Sequence, residues 1–220
     1  MKTLIVIPAY NTQNSLLDVL RGLQDKCSND ILVVDDGSDK ALYVNNEVKN
    51  NVVLVANDKN RGKGYSLKKA IKYAQDNQYT HIVTIDSDMQ HNPNFIGDFV
   101  KSSPDFDIVF GRRAFKSPMP FHRVLSNKIT SMIISVLIKN KIEDSQCGYR
   151  KYKLSIFENI ELLEDGYQFE SEVLLKCLNS KSLISNINIE TLYPENNKSY
   201  MNNSKDTYKF VKLIIRQIFA

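Results

Sequence analysis

Tryptophan is absent from this 220-residue chain, glycine occurs only eight times and cysteine three times. Cys27, Cys147 and Cys177 are too few and too scattered for a disulfide framework, and no C-x-x-C pair points to a structural zinc site. The sequence has no run of about 18 apolar residues, so no segment is expected to span a membrane by itself. The opening MKTLIVIPAYN is too short in its apolar part for the core of a signal peptide. These absences lead to the expectation of a reducing, cytoplasmic location. Three histidines, His81, His91 and His122, lack metal-ligand spacing, and no Ser/His/Asp or Cys/His constellation stands out. Cys147 reads as a packed thiol rather than a nucleophile. Nucleic-acid binding finds no module beyond bare charge.

What is present suits one globular domain: 42% hydrophobic and 25% charged residues, with 11 Tyr and 10 Phe. Net charge is only +4, but it is unevenly placed. Ile108 to Ile142 contains no Asp or Glu, yet it holds Arg112, Arg113, Lys116, Arg123, Lys128, Lys139 and Lys141. Such a zone beside a more acidic remainder suggests an anionic partner meeting one face.

The first half alternates strand and helix signals. Apolar runs at 4–7, 31–34, 52–56, 82–85 and 106–110 read as buried strands, the first ended by Pro8. Leu16, Leu17, Val19, Leu20 and Leu23 mark a helix with Asn14 as its N-cap, and Leu67, Ala70, Ile71 and Ala74 mark another. Repeated units of this kind predict an α/β fold, a Rossmann-like, doubly wound, mostly parallel sheet flanked by helices. Ligands bind such sheets at the carboxyl ends of strands. Pro8-Ala9-Tyr10-Asn11, Asp35-Asp36 and Asp86-Ser87-Asp88 all fall there.

The second half predicts a helix over 121–139, a turn-like segment over 144–150, a helix over 167–178, a weak strand over 183–192 and a basic amphipathic tail from 205. Residues 1–200 are expected to form the catalytic domain. Residues 201–220 are expected to form a basic amphipathic C-terminal helix, packed on that domain or on a membrane surface. The 121–139 segment admits two readings, because its apolar face is broad and its charges are all basic. It is a core helix, or an interfacial helix lying on an anionic bilayer.

Asp86-x-Asp88 places two carboxylates one residue apart just past a strand, with Gln90 in the same turn. Such oxygens suit Mg²⁺ or Mn²⁺, which commonly share ligands with substrate phosphates. A helix cap is the plainer reading of the same residues. Asp35-Asp36-Gly37-Ser38 reads first as a turn and second as a hydrogen-bond acceptor for a base or ribose. Asn60-Arg61-Gly62-Lys63-Gly64 precedes a helix, where glycines and an N-terminus favour an anion, though the spacing is not that of a Walker A loop. Arg112 and Arg113 follow the fifth predicted strand and can bind phosphate through two hydrogen bonds each, or be ordinary surface residues.

Taken in order, Ile7-Pro8-Ala9-Tyr10-Asn11, Val34-Asp35-Asp36-Gly37-Ser38, Asn60–Gly64 and Asp86-Ser87-Asp88-Met89-Gln90-His91-Asn92-Pro93 resemble the family 2 glycosyltransferases of GT-A fold. Gly111-Arg112-Arg113, Asp144–Arg150 and Phe169-Glu170-Ser171-Glu172 resemble the branch that glycosylates polyprenyl phosphates, the dolichyl-phosphate mannose and glucose synthases among them. The resemblance covers about residues 3–200. It implies a nucleoside held by Pro8, Ala9, Tyr10, Asn11 and Asp36, with Lys63 reaching the diphosphate or ribose. It implies Asp86 and Ser87 facing the nucleotide, and Mg²⁺ or Mn²⁺ on Asp88 and Gln90. Arg112, Arg113 and Arg123 would receive the acceptor phosphate, and Asp144 would orient the acceptor or act as base. Asp88, Asp144 and Arg112 are thus the catalytic candidates. Asn197-Lys198-Ser199-Tyr200 stands where a basic, Ser-rich acceptor-side loop is implied.

The expected reaction is inverting transfer of a hexose from a UDP- or GDP-sugar to a polyprenyl (dolichyl or undecaprenyl) phosphate. The protein would sit peripherally on the inner face of an anionic membrane, with room for a membrane-embedded partner subunit. Two alternatives stand beside it: a soluble family 2 enzyme acting on a glycan or protein hydroxyl, and a non-catalytic nucleotide-sugar-binding protein.

Overall fold

The computed structural model describes residues 1–45, 48, 51–113, 121–192 and 203–219, and the side chains of 121–123 and 203–205 are outside that description. Arg123 as a side chain, Lys116 and the segment 197–200 therefore lie outside the described residues.

Seven strands form one sheet in the order β3-β2-β1-β4-β6-β5-β7. They are β1 (Thr3–Ala9), β2 (Ile31–Asp35), β3 (Val52–Ala56), β4 (His81–Thr84), β5 (Ile108–Arg113), β6 (Arg150–Lys153) and β7 (Ile184–Ile189). β1, β2, β3 and β4 are mutually parallel, and β7 is parallel to β5. β6 runs antiparallel between β4 and β5. Two reversals restore direction, so β5 points the same way as β4. The carboxyl ends of β1, β2, β4 and β5 therefore share one edge.

The helices are α1 (Gln13–Gln24), α2 (Lys63–Asp76), α3 (Ile96–Lys101), α4 (Phe121–Ile138), α5 (Phe169–Cys177) and α6 (Asn203–Ile218). Alternation along the strands divides the core in two. Leu4, Val6, Leu32 and Val34 join Leu67, Ile71, Ile134, Leu174 and Leu213 on the face of α2, α4, α5 and α6. Ile5, Ile7, Ile31 and Val33 join Leu16, Leu20, Ile96 and Phe99 on the face of α1 and α3. Burial on both faces explains why these strands read as continuous apolar runs.

Several sequence expectations shift. Thr12, not Asn14, precedes α1, and no side chain caps that helix. Arg112 and Arg113 are the last residues of β5 rather than residues beyond it. β6, with the sequence RKYK, has no apolar run at all, although Arg150 and Lys151 are both buried. Arg150 donates to the carbonyls of Cys147 (2.6 Å) and Ser145 (2.6 Å), and Lys151 to the Ser102 carbonyl (2.8 Å). Satisfied buried cations, together with Tyr152 packed in the core, hold this strand.

α4 departs furthest from a core helix. Its Asn127 and Ser131 are buried, while Leu125, Ile129, Met132 and Val136 are exposed. Ile134 and Ile138 anchor it to the core. α6 packs on α5 through Leu213, with Phe210 and Ile214 against the same cluster.

Candidate active site

The loops beyond β1, β2 and β4 are tied together by their own polar groups. The Asp36 N–H donates to the Ala9 carbonyl (2.8 Å), and the Asn11 N–H donates to Ser38 Oγ (2.9 Å). The Asn11 and Asp39 side chains complete a second link, with Asn11 Nδ2 donating to Asp39 Oδ2 at 2.9 Å. Ser87 Oγ meets Thr12 Oγ1 at 2.9 Å, joining the acidic turn to the first loop. Pro8 and Ala9 are buried beneath, and Tyr10 is half-buried above them.

Asp36 is buried, and it accepts from Asn57 Nδ2 (2.8 Å), the Arg61 N–H (3.1 Å) and the Gly62 N–H (2.7 Å). The sequence suggests a carboxylate offered to a nucleoside; the structure shows one that holds the 60–64 loop. Gly62, at φ +104°, needs the freedom that only glycine has here, because a side chain would meet the Asp165 carbonyl.

Lys63 Nζ lies 2.6 Å from Asp86 Oδ1 and 3.0 Å from Glu170 Oε1. Burial alone would lower the Lys63 pKa, but the Asp86 and Glu170 carboxylates outweigh it and hold the ammonium charged. Burial would likewise raise the Asp86 pKa, yet Lys63 and His91 hold that carboxyl far below the usual range. His91 Nε2 approaches Asp86 Oδ2 at 3.3 Å. Gly148 closes over this pair: a Cβ there would sit 2.5 Å from Asp86 Oδ2 and 2.8 Å from Lys63 Nζ.

Asp88 is in the opposite condition. Burial and then the Asp86 carboxylate raise its pKa, with its hydrogen bond from the Gln90 N–H (3.0 Å) opposing them. A carboxylate under that repulsion is a place where added positive charge is favourable. Asp88 and Gln90 contribute hard oxygens from one turn, which fits Mg²⁺ or Mn²⁺. Among the described residues no cluster of three or more His, Cys, Asp and Glu forms a protein-only cage.

At the end of β5, Asp144 is buried and fully engaged. Arg113 grips it with Nε (2.8 Å) and a terminal nitrogen (2.9 Å), and Asn127 Nδ2 donates at 2.6 Å. Burial would raise its pKa; the Arg113 guanidinium and Asn127 hold it below the usual carboxylate range. Of the two roles open to Asp144, this favours orientation and weakens that of a base. Cys147 is buried, and its thiol is pushed up to about 12 by that burial, as expected of a packed residue.

A cavity of about 520 Å³ opens beside this pair, lined by Arg112, Arg113, Lys128, Lys141, Ile142, Glu143, Asn188 and Ile189. Lys128 and Lys141 belong to the acid-free zone of the sequence, but nothing in a linear reading pairs them with Arg112. Glu170 and Glu172 stand in a motif that carries the family resemblance but receive no role from it, and Glu143 is not singled out by the sequence; Lys63 and Arg112, which pair with Glu170 and Glu143, come from other segments.

A mostly parallel sheet with an Asp-x-Asp turn at its carboxyl edge and a basic cavity two strands away has its polar groups where open α/β sheets bind ligands. The profile of the glycosyl transferase family 2 matches residues 4–161, so the chain belongs to that family and is a glycosyltransferase of GT-A fold. A Methanocaldococcus jannaschii protein of uncharacterised function is 35% identical over 228 residues, covering 97% of this chain and 98% of that protein. The UDP-N-acetylglucosamine–dolichyl-phosphate N-acetylglucosaminyltransferase of Methanococcus voltae is 27% identical, covering 87% and 86%. The dolichol-phosphate mannosyltransferase of Pyrococcus furiosus is 26% identical, covering 82% of this chain and 54% of its own length. A crystal structure of Mycobacterium tuberculosis glucosyl-3-phosphoglycerate synthase with Mn²⁺, UDP-glucose and phosphoglyceric acid superposes with a TM-score of 0.73. That match is 14% identical and covers 98% of this chain and 79% of that one.

Proposed function

We propose that the protein transfers a hexose from a nucleoside-diphosphate sugar to a polyprenyl phosphate at a membrane surface. The observation that carries this reading is the cationic cavity at the end of β5, on the same sheet edge as Asp86 and Asp88. A phosphate there would meet Arg112, Lys128 and Lys141, with Arg113 held in place by Asp144. The acceptor oxygen would bond to the anomeric carbon as the bond from that carbon to the diphosphate breaks. The electron pair would leave with the nucleoside diphosphate. A phosphate nucleophile is already anionic and needs no base. The hydroxyl-acceptor alternative does need one, and Asp144 is committed to Arg113.

Asp88 and Gln90 would hold Mg²⁺ or Mn²⁺, whose charge stabilises the departing diphosphate. The Mn²⁺ and UDP-glucose in the mycobacterial relative's structure support this assignment. Asp86, neutralised by Lys63, would shape the donor pocket from below, and the loop held by Asp36 would flank the nucleotide.

Two exposed apolar stripes support action at a bilayer. On α4 the stripe is Leu125, Ile129, Met132 and Val136; on α6 it is Tyr208, Val211, Ile215 and Ile218, followed by Phe219. Both helices pack against the same side of the sheet, so both stripes face outward from that side. Lys128, Lys139, Lys141, Lys209 and Lys212 accompany them, the arrangement that suits anionic headgroups. Among the described residues no helix is long and apolar enough to cross a membrane.

The test is a transfer assay with a panel of UDP- and GDP-sugars, offering a polyprenyl phosphate and soluble glycans as acceptors, with and without chelator. Transfer to the lipid phosphate, abolished by chelator, is expected. Transfer to glycan hydroxyls alone would refute the reading.

A further inference from the structure

The cationic cavity already contains an anion of the protein's own. Glu143 Oε2 lies 2.8 Å from Arg112 Nε, and Glu143 Oε1 lies 2.6 Å from Lys141 Nζ. The neighbouring carboxylate, Asp144, is wholly buried and held by Arg113, Asn127 and the Gln146 N–H, so it is fixed. Glu143 is different. Its cations are open to water, with the Arg112 side chain 50% exposed and that of Lys141 81% exposed. Glu143 is itself one-fifth exposed, and its Oε2 is buried and lacks a well-aligned hydrogen bond despite the approach of Arg112; ion pairs to such exposed cations are worth little.

We propose that Glu143 is an internal competitor for the acceptor phosphate. Its carboxylate occupies Arg112 and Lys141 while the cavity is empty, yields them when a phosphate monoester enters, and reclaims them when the product forms. The proposal rests on the reading of this cavity as the acceptor subsite. Its logic is one of charge. A phosphate monoester carries about −1.5 to −2 near neutral pH and presents three oxygens. Once the sugar is attached, the same phosphorus centre is a diester with one negative charge, no more than a carboxylate carries. The substrate therefore outcompetes Glu143 and the product does not. Glu143 sets the threshold between them, raising the acceptor KM modestly and hastening product release. Lys141 anchors its Oε1 first, against the opposing effect of burial, with Arg112 adding to the pull; together they hold the carboxyl below its ordinary range, so it is available as an anion throughout the neutral range.

The experiment uses the full chain and two probes at pH 8: inorganic phosphate as the dianion and dimethyl phosphate as the monoanion of the product type. Calorimetric titration compares wild type, Glu143→Gln, Arg112→Ala and Lys141→Ala, each checked by thermal melt. Glu143→Gln is expected to bind both probes about fivefold more tightly, the equivalent of about 1 kcal/mol. In turnover with a polyprenyl phosphate, its acceptor KM should fall and inhibition by product should strengthen by a similar factor. That split is one that a merely structural residue would not produce. A folded Glu143→Gln that binds phosphate no better than wild type overturns the competitor role. If Arg112→Ala and Lys141→Ala also keep full phosphate affinity, the cavity is not the acceptor subsite and the functional reading fails with it. If those two lose phosphate while Glu143→Gln gains nothing, the subsite stands and only the competitor role is overturned.

Discussion

Replacing Glu172 by alanine should destabilise the protein and loosen the donor loop together. Its carboxylate is wholly buried on α5, where it accepts from the Leu163 N–H (3.0 Å) and the Glu164 N–H (2.8 Å) and pairs with Lys176 (2.8 Å). Arg216 of α6 reaches it at 3.4 Å and Glu164 at 3.0 Å. Alanine would orphan two backbone N–H groups, at about 1–3 kcal/mol each. The cations are partly exposed and can return to water, so the total is set near the low end of the about 3–5 kcal/mol typical of broken buried pairs. A loss of about 3 kcal/mol in a domain of this size lowers Tm by about 6–12 °C. Glu172→Gln keeps one acceptor oxygen and should lose roughly half as much. The effect depends on pH. Burial would raise the Glu172 pKa, but Lys176 and the N–H groups of Glu164 and Leu163 hold it below its ordinary value. A depressed folded-state pKa gives stability that is present above the unfolded value, about 4.3, and is lost as pH falls through the folded value. The difference between wild type and variant should therefore narrow in acid. The 161–165 segment also carries the Asp165 carbonyl that accepts from the Tyr65 N–H (3.1 Å), and Asp165 pairs with Lys68 (2.6 Å). Loosening the segment should raise the donor KM. Circular-dichroism melts at pH 7 and pH 4 decide the matter: a Glu172→Ala protein melting within about 2 °C of wild type at pH 7 refutes the reasoning.

Asp88→Ala should cut transfer at least about 100-fold, roughly 2.7 kcal/mol of transition-state stabilisation, while its melt stays near wild type; full activity in a chelated buffer would contradict the metal assignment. Gly148→Ala should force the Lys63–Asp86 pair apart at an overpacking cost of about 1–3 kcal/mol, and unchanged donor affinity by thermal shift would show that the pair does not shape the donor site. Val136→Asp and Ile215→Asp should each reduce co-sedimentation with anionic vesicles without altering the fold, and high salt should weaken wild-type binding. Equal sedimentation of variants and wild type would remove the membrane role of α4 and α6.

The half of the molecule that carries β1 to β4 was largely readable because its signals are local. β1, β2 and β4 are apolar runs, and each ends in the polar turn that belongs at a carboxyl edge. What the turns do was less readable. Asp36, Lys63 and Asp86 were recognisable as a set, yet their partners decide their roles, and two of those partners, Gly148 and Glu170, lie in the second half of the chain. β6 was missed because a strand made of Arg, Lys, Tyr and Lys has no hydrophobic signature; it is held by the carbonyls that satisfy Arg150 and by Tyr152 packed in the core. The helical period of α4 shows in the sequence, but not which face turns inward. Its buried Asn127 and Ser131 answer to Asp144 and Ser145, at 2.6 Å and 3.0 Å, and only folding brings those segments together.

These differences divide the site in a way that bears on its chemistry. The proposed donor side is built from adjacent strand ends whose spacing a parallel sheet dictates, so its geometry follows from backbone pairing. The proposed acceptor side is held by charge pairs between separate segments: Arg113 with Asp144 and Arg112 with Glu143. Backbone ladders are insensitive to a single side chain, whereas a remote ion pair can be lost or moved by one substitution. These two pairs differ sharply in burial, and that difference separates their proposed roles. Asp144, with no exposed surface, can only fix Arg113 in place. Glu143, one-fifth exposed and facing partly exposed cations, belongs to the pair that the competitor role requires to exchange. A family member could thus change its acceptor by altering the exchangeable pair while the buried pair preserves the frame around it.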